Sequence, residues 1–502
     1  MYIRNEDTIC APATIPGTGA ISVIRVSGPD ALTIADKVVT CRKGSISEAD
    51  GYTLKFGVIY NVIDNCNSND CDALSNKSFK HIIDEVLVSV FRAPHSYTGE
   101  NSVEISCHAS SYIVSEIMSL LYAAGARAAE PGEFTQRAFL NGKMDLAQAE
   151  AVADVIASQN AAAHRIAVKQ MKGGFSSELR GMRSELLELV SLMELELDFS
   201  EEEVEFADRS RLDSLLEQII AHVGRLIDSF RLGNAIKNGV PVAIAGATNT
   251  GKSTLLNALL GEDRAIVSDV HGTTRDTIEE TLNIDGILFR FIDTAGLRET
   301  SEVVEKIGIE RTFKKIGEAS IVLGMVDLTR DFDSTCETVK SIVEKVDFDT
   351  QKLIFLLNKT DISEVNNNVN IINYIVSLLD KEEITCNIFE TEKINDSDVQ
   401  IIPISAKTGA GIHNLRAVLA SSQRDLLGDS DTTMVTNQRH VQALSDARTS
   451  LLRVREGLAF GLPTDLAAQD IREAIYHLGS IVGEISTDEV LGNIFRNFCI
   501  GK

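Results

Sequence analysis

The segment GATNTGKST, residues 246–254, has the residue types and spacing of a phosphate-binding loop. Its glycines, Gly246 and Gly251, allow backbone N–H groups to approach phosphate oxygens, and the start of the helix that follows favours negative charge. Lys252 is spaced to reach the β- and γ-phosphates, and Ser253 is spaced to hold Mg²⁺. The loop lies between the apolar run VPVAIAG and the pattern KSTLLNALLG. The sequence therefore predicts a strand, a loop and a helix around a nucleotide.

Four further segments follow in the order that a GTPase requires: GTTRD (272–276), DTAG (293–296), NKTD (358–361) and SAK (405–407). The first offers Thr274 to the metal. In the second, Asp293 can hold metal-bound water and Gly296 can sense the γ-phosphate. Asp361 can accept from the two donor nitrogens that guanine presents and adenine lacks, and SAK supports the base. Together the five segments predict a guanine-nucleotide site.

The residue that activates water for hydrolysis is not fixed by these motifs. Hydrolysis needs a positioned water and neutralised charge between the β- and γ-phosphates. Leu297 stands where many small GTPases place glutamine, so another group must handle the water. The acids that follow, Glu299, Glu302 and Glu305, fit exposed switch-loop positions equally well. Arg275 could supply positive charge or make an ordinary phosphate or surface contact.

The terminal segment NIFRNFCIGK places a thiol three residues from the end of the chain. Cys499 could be a buried small hydrophobe. It also stands where a prenylation box would have its cysteine, but Gly501 is not aliphatic and Lys502 is not a usual final residue. A third interpretation is that the tail carries a thiol and an ammonium group into a site elsewhere.

Length and composition are those of a soluble globular protein of two to four domains. The chain has 502 residues, 44% apolar and 24% charged. No apolar run approaches the roughly 18 residues of a membrane span, and the N-terminal segment has no apolar signal core, so we expect a cytoplasmic protein. Eight scattered cysteines favour free thiols, and Cys66 and Cys71 lack nearby histidines for a metal site.

The net charge of −25 opposes nonspecific nucleic-acid binding, which needs clustered lysine and arginine. An RNA partner must therefore meet a local basic patch or be held by another protein.

The elements that must position these residues change in character along the chain. In residues 1–125, AISVIRVSG and EVLVSVFRA predict strands, ALTIADKVV and YIVSEIMSLLYAAG predict helices, and DNCNSNDCDALSNKS predicts a surface loop. Residues 126–235 are helical and contain the acidic connector SEEEVEFAD at 200–208. Short apolar strands alternate with helices in 236–427, as in a parallel sheet, and helices return in 428–502. The predicted fold class is α/β plus all-α, with the α/β domain inserted into a helical domain whose halves pack together.

Four features together resemble the MnmE (TrmE) family of tRNA-modifying GTPases over essentially the whole chain. They are DTICAPATIPGTGAISVIRVSG, PGEFTQRAFLNGKMDLAQAEAVADVI, the inserted GTPase domain and the terminal FCIGK. Other GTPases of the same broad class share the inserted domain and lack these flanks. The resemblance implies an N-terminal α+β domain that binds folate and forms a homodimer, a helical domain, and a Ras-like P-loop GTPase domain.

The resemblance also implies a reaction and its partners. Family members act with the flavoprotein MnmG (GidA) as a heterotetramer. The pair installs a carboxymethylaminomethyl or aminomethyl group at C5 of the wobble uridine of certain tRNAs. The one-carbon unit comes from 5-formyltetrahydrofolate or a related tetrahydrofolate. GTP, Mg²⁺ and K⁺ are the remaining cofactors, and the K⁺ replaces an arginine finger when two GTPase domains approach each other.

Site residues are implied in the same way. Asn249, Ser268, Val270 and Thr273 match the K⁺ ligands, and Ser253 and Thr274 the Mg²⁺ ligands. The resemblance favours Glu305 as the catalytic glutamate that orients and polarises water, and it places Cys499 in the modification chemistry. Arg25, Glu104, Lys143 and Lys502 match folate-binding positions. The predicted GTP contacts are Asn249, Thr250, Gly251, Lys252, Ser253, Thr254, Ser268, Asp269, Val270, His271, Gly272, Thr273, Thr274, Asp293, Thr294, Ala295, Gly296, Asn358, Lys359, Asp361, Ser405, Ala406 and Lys407.

The sequence departs from the family pattern at one position, and three other functions are weighed against this interpretation. Thr248 stands where the family usually has proline, which we expect to leave nucleotide binding intact. A GTPase switch in ribosome assembly explains the inserted domain but not FCIGK. A folate-dependent one-carbon enzyme regulated by GTP differs in reaction class. A binding module without hydrolysis conflicts with the presence of Ser253, Thr274, Asp293 and Glu305.

Overall fold

In the computed structural model the chain folds into two compact units. It describes residues 7–63, 79–198, 209–261, 280–292, 317–363, 365–380, 384–388, 399–423, 433–460, 464–485, 488–496, 498 and 501. Unit 1 comprises Met1–Ile156, Val168–Ile220 and Ala443–Lys502, and unit 2 comprises Ala157–Ala167 and Ala221–Gln442. The predicted loop at 64–78 and the acidic connector at 200–208 lie outside the described residues. The boundaries at 125, 235 and 427 stay predictions.

A seven-stranded sheet forms the first part of unit 1, in the order β3-β4-β5-β6-β2-β1-β7. The strands are β1 (Ile9–Pro12), β2 (Ile21–Ser27), β3 (Val39–Cys41), β4 (Thr53–Ile63), β5 (Phe79–Phe91), β6 (Ser102–His108) and β7 (Arg127–Ala128). All neighbours run antiparallel except β1 and β7, which are parallel. The predicted strand EVLVSVFRA covers only the second half of β5. Polar residues in the first half of this strand interrupt the alternation of apolar and polar side chains that the prediction used.

The two faces of this sheet differ in what covers them. Helices α1 (Ala31–Val38) and α2 (Ser111–Ala124) share a core with the side chains of Ile24, Val88 and Ile105, which lie in one row across β2, β6 and β5. We call the opposite face of the sheet the open face, and the same register shows which side chains lie on it. It carries Ile21, Leu54 and Leu87, which are 66%, 64% and 44% exposed.

Helices from before and after the second sheet pack together in unit 1. The helices before the second sheet are α3 (Glu133–Leu140), α4 (Leu146–Ala157), α5 (Ala161–Met171), α6 (Gly174–Asp198) and α7 (Arg209–Asn238). Helices α3 and α6 belong to unit 1 in full and α4 to unit 1 except for its last residue, whereas α5 and α7 are divided between the two units after Ala167 and after Ile220. The Ala-rich run that begins at Asp145 divides at Asn160, because the Asn160 side chain accepts from the backbone N–H of Ala163 at 2.7 Å and caps a new helix.

Unit 2 is built on a second seven-stranded sheet, in the order β13-β14-β12-β11-β8-β10-β9. Its strands are β8 (Val240–Ala245), β9 (Glu280–Ile284), β10 (Ile287–Ile292), β11 (Ile321–Asp327), β12 (Lys352–Asn358), β13 (Cys386–Ile388) and β14 (Val399–Pro403). All pairs are parallel except β9 with β10. Helices α8 (Lys252–Gly261), α9 (Phe332–Val343), α10 (Val365–Asp380) and α11 (Ile412–Ser422) bury apolar side chains against the sheet. The predicted α/β architecture is confirmed.

The last helices are α12 (Gln438–Ala459), α13 (Thr464–Val482) and α14 (Asp488–Arg496). Helix α13 packs along α6, and ion pairs join Arg183 to Glu484 and Arg472 to Glu194. Leu491 and Phe495 of α14 share a cluster with Leu146 and Ala149 of α4. The helical stretches on either side of the α/β sheet therefore form one packed group in unit 1. Within the described residues, no helix combines the length and apolar character that a membrane crossing requires.

Candidate functional site

The phosphate loop joins the carboxyl end of β8 to the first residue of α8. Gly246 has a φ of +153°, and a Cβ there would lie 2.5 Å from the carbonyl oxygen of Met325. Gly251 has a φ of +98°, and its Cβ would lie 2.5 Å from Nδ2 of Asn358. Between them Asn249 has a φ of +60°, a conformation that asparagine tolerates better than most residues. Both glycines are therefore required by the close approach of neighbouring strands' ends.

The Lys252 side chain lies back over this loop. Its ammonium group donates to the carbonyl oxygens of Gly246 at 2.7 Å and Ala247 at 2.9 Å. Burial, together with the nearby charge of Arg330, lowers the pKa of Lys252 from its ordinary value. A phosphate bound in the loop would offer the Lys252 ammonium a negatively charged acceptor in place of these two neutral carbonyl oxygens. A charge-assisted hydrogen bond of that kind is stronger than the bonds to the carbonyls.

The base-binding segments meet the phosphate loop through one side chain. Asn358 ends β12, and its Nδ2 donates to the carbonyl of Thr250 at 2.7 Å while its Oδ1 accepts from the backbone N–H of Ala406 at 2.9 Å. Ser405 Oγ donates to Asp361 Oδ1 at 2.8 Å and so fixes that carboxylate. Segments about 250, 358 and 405 are thus brought together at the carboxyl edge of the sheet, as the motifs predict.

Two charged residues beside this edge were not singled out from the sequence. Asp327 ends β11, and its Oδ2 lies 2.6 Å from Nζ of Lys359. Arg330 donates to the carbonyl oxygen of Thr248. The signal was available for Asp327, because ASIVLGMVD is a buried strand that ends in an acid at the same edge as the nucleotide motifs. No local pattern marks Arg330.

Several predicted residues lie outside the part of the chain that the structure describes. They are Ser268, Asp269, Val270, His271, Gly272, Thr273, Thr274, Asp293, Thr294, Ala295, Gly296, Glu305, Cys499 and Lys502. Their roles stay predictions. Ser253 and Thr254 lie in the first turn of α8, beside Lys252, and Lys407 follows Ala406.

A second cluster of predicted residues lies on the open face of the first sheet. Arg25 and Glu104 are directly paired across β2 and β6, and the guanidinium donates to Oε1 of Glu104 from Nε at 3.0 Å and from Nη2 at 2.8 Å. The Arg25 guanidinium also lies 5.1 Å from the ring centre of Tyr97 and 5.6 Å from that of Phe134. Lys143 donates instead to the carbonyl of Pro94 at 3.0 Å.

Gly501, the residue described near the end of the chain, lies close to this cluster. Gly501 is buried with a φ of +95°, and a Cβ there would lie 2.2 Å from the carbonyl oxygen of Pro12. Pro12 pairs with Ile24 of β2, and Ala11 pairs with Arg25. Gly501 therefore lies against the strand that neighbours Arg25.

The thiols that the structure describes are free, as the sequence predicts: Cys10, Cys41, Cys107 and Cys336. Burial raises the pKa of Cys10 to about 12 and is the main cause that raises the pKa of Cys107 to about 11. Both are therefore uncharged at neutral pH and poorly suited to nucleophilic chemistry.

The parallel sheet, the phosphate loop and the Asn358–Asp361 segment define a P-loop GTPase. Comparison with known proteins makes this more specific. The family model for the MnmE helical domain matches residues 146–499, and that for the GTP-binding protein TrmE N-terminus matches residues 8–143. The tRNA modification GTPase MnmE of Bacteroides thetaiotaomicron is 51% identical over 99% of this chain and 100% of its own length. That of Flavobacterium johnsoniae is 48% identical, again over 99% and 100%.

This chain belongs to the MnmE family of tRNA modification GTPases. It is a GTP hydrolase, and its family implies GTP, Mg²⁺ and a tRNA substrate. A solved structure of Aquifex aeolicus Era is 27% identical over 42% of this chain and 66% of its own. The TM-score of that match is 0.24.

Replacing Asp361 by asparagine tests the base-binding geometry. The carboxylate is predicted to accept from two guanine nitrogens, and an amide at that position would present one donor to them instead. We expect Asp361→Asn to weaken GTP binding by about tenfold or more and to improve binding of xanthosine triphosphate, whose C2 oxygen accepts. Equilibrium binding of fluorescent analogues of both nucleotides measures the change.

The matched control is Asp380→Asn, because Asp380 ends α10 and carries no role in the site. Unchanged GTP affinity in Asp361→Asn would contradict the assignment of Asp361.

Proposed function

We propose that this chain is a potassium-activated GTPase that acts with the flavoprotein MnmG (GidA) on tRNA in the cytoplasm. The pair adds a carboxymethylaminomethyl or aminomethyl group to C5 of the wobble uridine, using a one-carbon unit from 5-formyltetrahydrofolate or a related tetrahydrofolate. Membership of the MnmE family supports the reaction. The observation that carries the proposal is the contact of Gly501 with β1, the strand that neighbours Arg25, and this contact supports a role for the tail at the Arg25–Glu104 pair.

The nucleotide half of the proposal assigns chemistry to the phosphate loop. Lys252 would bind the β- and γ-phosphates, and Ser253 and Thr274 would hold Mg²⁺, an ion that would supply positive charge to the phosphates. Asn249 extends from a loop position with a φ of +60° and, with Ser268, Val270 and Thr273, would hold K⁺. Glu305 orients the attacking water. Lys252 is already turned toward the loop carbonyls, so phosphate binding needs little rearrangement of its stem.

The folate half assigns chemistry to the open face and the tail. The Arg25 guanidinium is held by Glu104 and by two aromatic rings, and the two bonds to Glu104 leave three of its five N–H donors for an anionic ligand. Glu104 keeps a second carboxylate oxygen that can accept from ring nitrogens of a pterin. Lys143 and Lys502 would add positive charge for the glutamate tail of the folate. Cys499 precedes the anchored Gly501 by two residues and would reach the same pocket.

A homodimer through the N-terminal sheet is part of the proposal. Ile21, Leu54 and Leu87 expose apolar surface on a face that α1 and α2 leave uncovered. Exposed apolar patches of this kind mark interaction sites, and a second copy of the chain is the occupant that the family resemblance implies. Since the net charge is −25, we expect a basic surface of MnmG to carry most of the tRNA.

Binding of 5-formyltetrahydrofolate tests the folate site. Arg25→Ala removes the guanidinium that the ligand's anionic groups would meet, so affinity should fall by about tenfold. The matched control is Arg42→Ala, because Arg42 also stacks on a ring, with 4.5 Å to the centre of Phe56, and approaches a glutamate, Glu85, at 4.0 Å. Isothermal titration of both variants measures the difference. Equal losses would argue that no folate site is present at Arg25.

Potassium dependence tests the assignment of Asn249. The rate of GTP hydrolysis should be higher in K⁺ than in Na⁺ at equal ionic strength, and Asn249→Ala should remove that difference because the ion loses a side-chain oxygen. GTP affinity should stay within about threefold, since the Lys252 contacts remain. Equal stimulation by the two ions in the parent chain would count against the potassium site.

A further inference from the structure

Asp327 lies close to two cationic side chains from different parts of the nucleotide site. They are Lys359 of the base-binding segment and Arg330, which contacts the phosphate loop. Its Oδ2 lies 2.6 Å from Nζ of Lys359 and 3.9 Å from Nε of Arg330. Its Oδ1 accepts from the backbone N–H of Thr329 at 3.0 Å and from Thr329 Oγ1 at 2.7 Å. The Asp327 carboxylate is 3% exposed, so its partners on the protein replace nearly all contact with water.

Arg330 reaches from this carboxylate to the phosphate loop. Its Nη2 donates to the carbonyl oxygen of Thr248, and Thr248 immediately precedes Asn249, whose backbone is in the left-handed region. A guanidinium presents several donors in a rigid plane, so one side chain can contact both an acid and a carbonyl group. Arg330 thereby ties a strained part of the loop to the end of β11.

Lys359 reaches the same carboxylate from the base-binding segment. Its backbone is also in the left-handed region, with a φ of +69°, and its ammonium group is partly exposed. Lys359 follows Asn358 and lies two residues before Asp361, the predicted guanine acceptor. Lys359 and Arg330 therefore share Asp327 as their anionic partner.

The charges support a stable link. Burial raises the pKa of Asp327, but hydrogen bonds from Lys359 and Thr329 outweigh it and hold that pKa below its usual value. The carboxylate is therefore charged at neutral pH and compensates the repulsion between Lys359 and Arg330. Without the Asp327 carboxylate, the positive charges of Lys359 and Arg330 would repel each other.

We propose that Asp327 couples the phosphate loop to the base-binding segment, with Arg330 as a positioning residue for Thr248 and Asn249. The proposal rests on the proposed assignment of the loop and of Asn358–Asp361 to GTP. Arg330 sets the shape of the loop before the nucleotide arrives, and Lys359 shares its anchor. Loss of either cation removes one of the charges that hold the Asp327 carboxylate, although Thr329 still bonds to it, and loosens the position of the other cation.

A double-mutant cycle on the full-length chain tests this coupling, with fluorescent GDP and Mg²⁺ as the probe. We expect Arg330→Ala to weaken GDP binding by about tenfold, the size of a lost charge-assisted hydrogen bond, and Arg330→Lys to recover most of the loss. Lys359→Ala should weaken binding as well. The double variant should bind at least about threefold more tightly than the product of the two losses predicts. The rate of hydrolysis at saturating GTP should change less than affinity does.

Arg231→Ala is the matched control. The Arg231 guanidinium also donates to a threonine carbonyl, that of Thr350, at 2.6 Å, but Thr350 precedes β12 and so lies at the opposite edge of the sheet. Its GDP affinity should equal that of the parent, and its melting temperature should match that of Arg330→Ala.

Three results would overturn the proposal. Parental affinity in Arg330→Ala would show that the Thr248 contact does not position the loop. Multiplicative losses in the double variant would show that Asp327 transmits nothing between the two cations. Both results leave the nucleotide site standing. Absence of guanine-nucleotide binding in the parent chain would instead overturn the site together with its coupling.

Discussion

The nucleotide site depends on the side chain of Asn358, which bonds to two loops at once. It donates to Thr250 in the phosphate loop and accepts from Ala406 in the segment after β14. The two loops therefore keep a fixed spacing from the end of β12. Parallel strands make this possible, because their carboxyl ends meet at one edge of the sheet. The cost is that Gly251 can carry no side chain, since a Cβ would collide with Asn358 Nδ2.

Unit 1 relies on a buried cation in a comparable way. Arg137 is fully buried, and it donates to Asp7 Oδ1 at 2.7 Å, to Glu133 Oε1 at 3.0 Å and to Glu100 Oε1 at 3.1 Å. An unpaired guanidinium there would be costly, so the three acids hold α3 against the segment before β6 and the start of β1. Phe134 of the same helix lies under Arg25. The network thus positions one wall of the proposed folate site.

The sequence predicted those parts of the structure that depend on local pattern. The phosphate loop was identified from glycines at a defined spacing after a strand, and the Asn358–Asp361 segment from polar residues at a defined spacing where a strand ends. The contact of Arg330 with Thr248 was not, because it depends on how the segment after β11 folds over a loop some 80 positions earlier. Arg25 and Glu104 were assigned by resemblance alone, and only the register of β2 with β6 places them side by side. Lys143 was predicted beside them, and its described bond goes to Pro94. The assignments of Glu305 and Cys499 stay predictions.

The central claim is that the nucleotide site and the C-terminal tail serve one tRNA reaction. Mass spectrometry of tRNA nucleosides, from cells that lack this gene and carry the parent chain, Asn249→Ala or Cys499→Ser, tests it most directly. The account predicts that the parent restores the C5-modified wobble uridine and that neither variant does, although Cys499→Ser still hydrolyses GTP. Restoration by both variants, or failure of a folded and GTP-hydrolysing parent chain to restore the modified nucleoside, would contradict it.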